Sequence, residues 1–372
     1  MGTVSVTDSV WSAQDTSPGA IEAALRKLVA ERHAENEGYV PARALNLVCI
    51  VDREYSGEIA NRLHGVGRFH ASRTVVCSVE PGRSTIDARA TVASECDPRP
   101  GQFAVLRETV VVSIGERHLD DLDSIVDPLV VTDLATVVWS PHGHSEAVNA
   151  LTKASGAKAG KNMPGVGAAL AQVVLLDSAD EPDHAVALDR SCALAERAYV
   201  VDLAWLRSTP WRERVASAFD PADRRAELHT LSKVSVRHRA DSAVSGLLLL
   251  GWLCARLGWR PEALMHHGDL LRGHARGRRG EVELRLEPVG DMSVPGLAGI
   301  ELTSDRGTVL GLERGEGGLT VRRREVHGTE QTWTVLGASR GEPGILGEGI
   351  RQALLRDPTF RPALTAGREL LG

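Results

Sequence analysis

The sequence predicts an α/β protein: an N-terminal mixed-sheet α/β domain, followed by a second α/β domain ending in an antiparallel β-meander and a closing helix. Three observations carry this expectation. Short, nearly continuous apolar runs such as Ala44–Val51 and Thr74–Val79 alternate with stretches of helical periodicity. After an interior stretch of Gly, Ala, Lys and Asn the same rhythm returns, as it would in a second α/β layer. From Gly280 onward the period switches to two, with Val282, Leu284 and Leu286 set between Glu281, Glu283, Arg285 and Glu287.

Taken in order, residues 1–17 are rich in Ser, Thr and Asp without sustained periodicity and predict a disordered tail. Pro18 then opens a helix whose apolar stripe is Ile21, Ala24, Leu25, Leu28 and Val29. Ala44–Val51 has the pattern of a strand covered on both faces, Tyr55–Leu63 of a helix, and Thr74–Val79 of another buried strand. Ile86–Val92 alternates and Glu108–Ile114 is β-branched, so both predict strands; His118–Val126 is helical and Leu134–Trp139 strand-like. This first domain covers 18–152, and residues 153–165 have the composition of a flexible linker.

The second domain, 166–372, begins with strand Gln172–Leu176, helix Ala185–Arg197, strand Tyr199–Leu203 and helix Pro210–Phe219. Strand Lys233–Val236 and the strongly apolar helix Ser242–Leu257 follow. The meander occupies about 280–340, with glycine turns such as Glu316-Gly317-Gly318, and Ile345–Leu355 closes the fold as a helix.

Composition narrows the function. The chain has 372 residues with 42% hydrophobic, enough for real cores, and its formal charge of −6 speaks against a general nucleic-acid or acidic-membrane binder. The longest apolar stretch without charge, Ser242–Ala255, is shorter than the ~20 residues of a membrane-spanning helix. Residues 1–10 lack a basic region followed by an apolar run, so a cytoplasmic protein is expected. Five widely spaced cysteines without a C-x-x-C pair predict neither a disulfide framework nor a thiolate zinc site.

Chemical motifs are sparse. Gly156-Ala-Lys-Ala-Gly160-Lys161-Asn162 has three residues between its glycines and Asn after the lysine, so it fails as a phosphate loop. Gly165-Val-Gly167 precedes a strand, where a dinucleotide fingerprint must follow one. His142-Gly-His144 and His266-His267 have no neighbouring ligands at metal-site spacing, and no G-x-S-x-G elbow is present. No catalytic residue, metal or cofactor is therefore expected. The basic clusters Arg272–Gly280 and Arg322–Arg324 fit a solvated loop and strand edge.

Tryptophan usage stands out, because aromatics are only 4% of the chain and Trp205, Trp211, Trp252 and Trp259 lie close together. Trp and Arg are enriched at interfaces, while Trp211, Val215 and Phe219 at helical spacing also suit a core. Both roles stay open for Trp205.

Four segments, in this order and spacing, resemble one family: Phe69-His70-Ala71-Ser72-Arg73, Asp133-Leu134-Ala135-Thr136-Val137-Val138-Trp139, Val201-Asp202-Leu203-Ala204-Trp205-Leu206-Arg207 with Thr209-Pro210-Trp211-Arg212-Glu213, and Leu248–Trp259. The set is similar to the glucose-6-phosphate dehydrogenase assembly protein OpcA family in its actinobacterial form. The resemblance implies a non-catalytic partner that binds glucose-6-phosphate dehydrogenase and favours its active oligomer, supporting the oxidative pentose phosphate pathway and NADPH supply. Trp205, Arg207, Trp211 and Arg212 are the expected partner contacts, with Trp205 and Arg207 in a connection whose side chains should reach solvent. The alternative reading is an enzyme or sensor for a small phosphorylated sugar, with His70, Ser72 and Arg73 as anion ligands; the same three residues also suit a structural corner.

Overall fold

The structure, a computed structural model, describes residues 8–67, 71–153, 169–290, 292–315, 317–336 and 341–372. Two compact units emerge. The first comprises Met1–Leu176, Arg197–Val201 and Ile350–Leu355, the second Asp177–Glu196, Asp202–Gly349 and Arg356–Gly372.

The first unit is built on β1 (Ser9–Ala13), β2 (Tyr39–Pro41), β3 (Leu45–Asp52), β4 (Ser72–Val79), β5 (Asp87–Ala93), β6 (Ala104–Ile114), β7 (Thr136–Trp139), β8 (Val173–Leu176) and β9 (Tyr199–Asp202). They form one mixed sheet in the order β1-β5-β6-β4-β3-β7-β8-β9, with β2 beside the start of β6. β4 and β7 flank β3, both parallel to it, and β1 and β5 run antiparallel at one side. Leu45–Val51 of β3 are all buried, as a strand covered on both faces requires. Helix α1 (Pro18–Glu35) starts where Pro18 occupies the first turn and the Ser17 hydroxyl accepts from the Ala20 N–H. Helices α2 (Ser56–Gly67), α3 (Leu122–Val126) and α4 (Ser145–Thr152) complete the unit's main elements.

Two expectations change here. Within the stretch read as a disordered tail, Ser9–Ala13 pairs with Ala88–Val92 as an edge strand. Its five residues have no apolar face strong enough to register without the partner strand. Residues 154–165 of the expected linker lie outside the described residues, and the compact units divide after Leu176. The parallel pairing of β8 with β7 decides that, and a short strand carries no signature of the sheet it joins.

The second unit contains α5 (His184–Ala195), α6 (Leu203–Arg207), α7 (Thr209–Ala218), α8 (Ala222–Arg225), α9 (Ala243–Leu257) and α11 (Phe360–Glu369), as well as the start of α10 (Gly341–Leu355). Its sheet joins β10 (Leu231–Arg239), β11 (Arg260–Pro261), β12 (Met265–His267), β13 (Leu270–Arg276), β14 (Glu281–Val289), β15 (Leu297–Ser304), β16 (Val309–Gly315), β17 (Gly318–Arg324) and β18 (Glu330–Leu336). The strand order is β11-β13-β14-β10-β15-β16-β17-β18, with β12 on β13, and the last four strands are the expected meander. β14 is antiparallel to β13 yet parallel to β10, so it is an interior strand where a simple antiparallel one was expected. The stretch Arg272–Arg276, read as loop, is strand.

Helix α9 is the core of this unit. Residues Ala243–Gly251 are all buried, and Gly258 ends the helix in the left-handed region at φ 66°. At Gly251 a Cβ would sit 2.2 Å from the Ala363 carbonyl oxygen, so glycine is what lets α11 approach α9 this closely. Among the described residues no helix is long and apolar enough to cross a membrane.

Candidate partner-binding site

The segment from Asp202 to Arg214 is organised by its own polar groups. Asp202 caps α6: its carboxylate accepts from the Ala204 N–H at 3.0 Å, the Ser178 N–H at 3.1 Å and the Ser178 hydroxyl at 2.6 Å. The residue is fully buried, and that burial, reinforced by the nearby Asp177 charge, pushes its carboxyl up to about 7 against the pull of the donors. Asp177 itself holds Arg207 in a fork, with N···O distances of 2.9 and 2.6 Å.

Trp205 is inside. Its indole N–H donates to Asp357 at 3.0 Å and its ring meets Phe360 at a centroid separation of 5.5 Å. The Arg212 guanidinium lies 3.3 Å above the Trp205 ring and donates to the Ser208 and Thr209 hydroxyls at 3.1 and 2.8 Å, with Asp357 farther off at 3.4 Å. Burial lowers the Arg212 pKa to about 10, partly offset by the Asp357 charge. Trp211 is buried with Val215 and Phe219.

The structure therefore corrects the expectation that Trp205 and Arg207 reach solvent, and it buries Trp211 and Arg212 as well. Both Trp rings are 2% exposed, because α6 and α7 fold their aromatic faces inward and the arginines follow their partners. What the segment presents outward is one wall of a cavity of ≈490 Å³, to which Arg207, Pro210, Trp211, Glu213 and Arg214 contribute. Sequence reasoning missed Asp177, Asp357 and Arg314, the last also lining this cavity; none lies in a motif, although Asp202 before an apolar run carries an N-cap signature.

The other nominated set closes on itself. Arg73, on β4, is buried and donates to Glu108 at 2.8 Å, to Glu22 at 3.0 Å and to the Leu129 carbonyl at 3.3 Å. Glu108 also takes Arg43 at 2.5 Å. The Ser72 hydroxyl is 3.2 Å from that of Thr74. His70 lies outside the described residues. With its fork filled by two carboxylates, Arg73 has the environment of a structural corner, not of an anion ligand.

His144 stands 3.2 Å from Asp52, and His142 stacks on Tyr55 at 4.3 Å. Among the described residues no three His, Cys, Asp or Glu side chains gather in a way that could hold a metal. Cys49, Cys77 and Cys254 are buried, and desolvation pushes the thiols of Cys77 and Cys254 up to about 12 and that of Cys49 well up, which leaves them unreactive.

Two family models match this chain, and both describe parts of a "Glucose-6-phosphate dehydrogenase subunit": its N-terminal domain over residues 64–157 and its C-terminal domain over residues 198–364. Both are the domains of one family. The chain belongs to the OpcA family. Similar OpcA proteins, each named "Putative OxPP cycle protein OpcA", occur in Nostoc punctiforme and Synechococcus elongatus. The Nostoc protein is 32% identical over 179 residues, 44% of this chain and 38% of that protein; the Synechococcus protein is 33% identical over 118 residues, 30% and 26%. The aligned part thus spans well under half of either OpcA relative. Among solved structures, the super-repressor mutant of Gal80p from Saccharomyces cerevisiae aligns with a TM-score of 0.48 at 10% identity, over 88% of this chain and 94% of that one. Apo scyllo-inositol dehydrogenase from Lactobacillus casei gives 0.42 at 10%, over 89% and 96%. Likeness at this level assigns no function to an OpcA chain.

Proposed function

We propose that this chain is a non-catalytic assembly protein that binds glucose-6-phosphate dehydrogenase and favours its active oligomer. It thereby supports the oxidative pentose phosphate pathway and NADPH supply, in the cytoplasm. The observation that carries the reading is the pair of family domains matched in order along the chain, the second of which contains the whole Asp202–Arg214 segment. A partner that binds the active oligomer better than the inactive form shifts the equilibrium by that difference in affinity, and needs no catalytic constellation of its own.

The contact is assigned to the outward edge of that segment, with Arg207 and the neighbouring Glu213 and Arg214 facing the partner. Trp205, Trp211 and Arg212 give this edge its shape from beneath, a positioning role compatible with their burial. The phosphorylated-sugar reading at His70, Ser72 and Arg73 has no observation in its favour, since Glu108 and Glu22 occupy the guanidinium.

The test is direct. Glucose-6-phosphate dehydrogenase from the same organism is assayed with and without the chain while its oligomeric state is followed by native mass spectrometry. Activation is expected to rise with the fraction of larger oligomer. A dehydrogenase that neither binds the chain nor changes its oligomeric state would end the proposal.

A further inference from the structure

The cavity beside α7 holds a guanidinium that no carboxylate of the described residues neutralises. Arg314, at the end of β16, donates through Nε and Nη2 to the Leu297 carbonyl at 3.2 and 3.1 Å. No carboxylate of the described residues pairs with it. A carbonyl fixes the plane of the fork without cancelling its charge, and among the described residues the third nitrogen, Nη1, has no hydrogen-bond partner. Half-burial lowers the Arg314 pKa, as expected for a cation lacking its counter-charge.

A second arginine adds to this. Arg214 on α7 lines the same cavity, and its Nε is buried without a hydrogen-bond partner. Glu213 stands 3.9 Å from Arg214 Nη1, beyond hydrogen-bond range. Arg207, also on the wall, differs from both because Asp177 fills its fork. The remaining surface is largely apolar, with Pro210, Trp211, Val294 and Leu319, and the volume of ≈490 Å³ lies within the ~300–1,000 Å³ of small-molecule sites.

We propose that this cavity binds a small organic anion, one carboxylate or phosphate on an uncharged body, with Arg314 and Arg214 holding the head group. Glu213 and Glu348 line the same space and select against a second negative charge elsewhere on the ligand. The inference goes beyond the partner-binding reading and does not depend on it, because the ligand binds the chain alone. A head group at Arg314 also sits against the edge assigned to the dehydrogenase, so occupancy would couple to partner affinity reciprocally.

Calorimetric titration of the full chain with phenyl phosphate, and separately with inorganic phosphate, tests the site. Phenyl phosphate is expected to bind one per chain with a Kd of about 1 mM or tighter. Inorganic phosphate should bind more weakly, since it cannot use the apolar wall. Arg314→Ala and Arg214→Ala should each weaken phenyl phosphate about tenfold or more, a loss typical of a charge-assisted hydrogen bond. Arg314→Gln and Arg214→Gln, which keep more of the side-chain packing, serve if an alanine variant melts early. A folded wild-type chain that gives no heat with phenyl phosphate at about 10 mM would overturn the proposal. Unchanged affinity in variants of wild-type melting temperature would overturn it as well. If Arg314→Ala abolished dehydrogenase binding while no anion bound the wild type, the cavity would be a protein interface and the small-ligand proposal would fail.

Discussion

Arg73 in the first unit and Arg212 in the second are both arginines packed inside the chain, and they are neutralised in opposite ways. Arg73 is enclosed by the carboxylates of Glu108 and Glu22, each within 3.0 Å. Among the described residues Arg212 has no carboxylate closer than 3.4 Å, and it rests on the π-face of Trp205 and two hydroxyls. In the first case charge meets charge, and geometry follows from the fork. In the second, shape comes first: the guanidinium lies over the indole, Phe360 meets the indole at a tilt of 54°, and Asp357 ties the block to the start of α11. The first arrangement fills a potential anion site; the second builds a wall for a cavity whose own arginine, Arg314, stays uncompensated. A buried arginine is thus a candidate for ligand binding only where the described residues withhold its counter-charge.

The largest expected effect comes from breaking the charge-against-charge side. Glu108→Ala leaves Arg73 with Glu22 alone and takes from Arg43 the carboxylate it donates to, and removing one partner of a buried pair costs about 3–5 kcal/mol. Urea unfolding should show that loss in the midpoint. A change below about 1 kcal/mol would mean that water reaches Arg73 and that the two arginines are less different than their surroundings imply.

The second effect concerns Asp202, the buried carboxyl beneath the block. Its folded pKa of about 7 lies above the unfolded value of about 3.9, so the native state holds its proton more tightly. Its contribution is fully present below about pH 4 and is lost as pH rises toward 7. Between pH 5 and 7 the wild type should lose about 2 kcal/mol relative to Asp202→Asn, which keeps the shape and an acceptor for the Ala204 N–H. Unfolding curves at the two pH values measure this difference directly. Parallel pH dependence in both proteins would show that the three donors on Asp202 outweigh its burial.

Much of the fold was legible in sequence, because its signals are local. The apolar run 44–51 became β3, Pro18 opened α1, and the alternation of Val282, Leu284 and Leu286 became the inward face of β14. What escaped depends on partners far along the chain. The edge strand Ser9–Ala13 needs β5 to exist, β14 needs β10 to be parallel, and α11 has an apolar face that matters only against α9 and α5. The candidate site was half legible for the same reason. Trp205 and Arg212 could be picked out by residue type, but their burial rests on Asp357 and Phe360, roughly 150 residues later. Nothing local marked Arg314, which is set apart by having no carboxylate partner among the described residues.

The smallest expected effect is also the one that separates shape from contact. Trp205→Phe keeps an aromatic ring beneath Arg212 and fills most of the volume, but deletes the indole N–H that reaches Asp357. Asp357 would not be stranded, since the Thr359 N–H and hydroxyl still donate to it at 2.8 and 2.6 Å and Arg212 remains nearby. The loss should therefore sit near the low end for a hydrogen bond, about 1 kcal/mol, with a few tenths more for a weaker cation–π face. As a positioning residue, Trp205 should register this in the melting temperature while the concentration giving half-maximal activation of the dehydrogenase stays within about twofold. If Trp205 instead inserts into the partner when the complex forms, the order reverses. Melting would barely change, and activation would weaken by about thirtyfold, the scale of a lost aromatic hot spot. Measuring both quantities on the same preparation distinguishes the two outcomes, because a ring that only shapes the wall cannot weaken activation without first loosening α11.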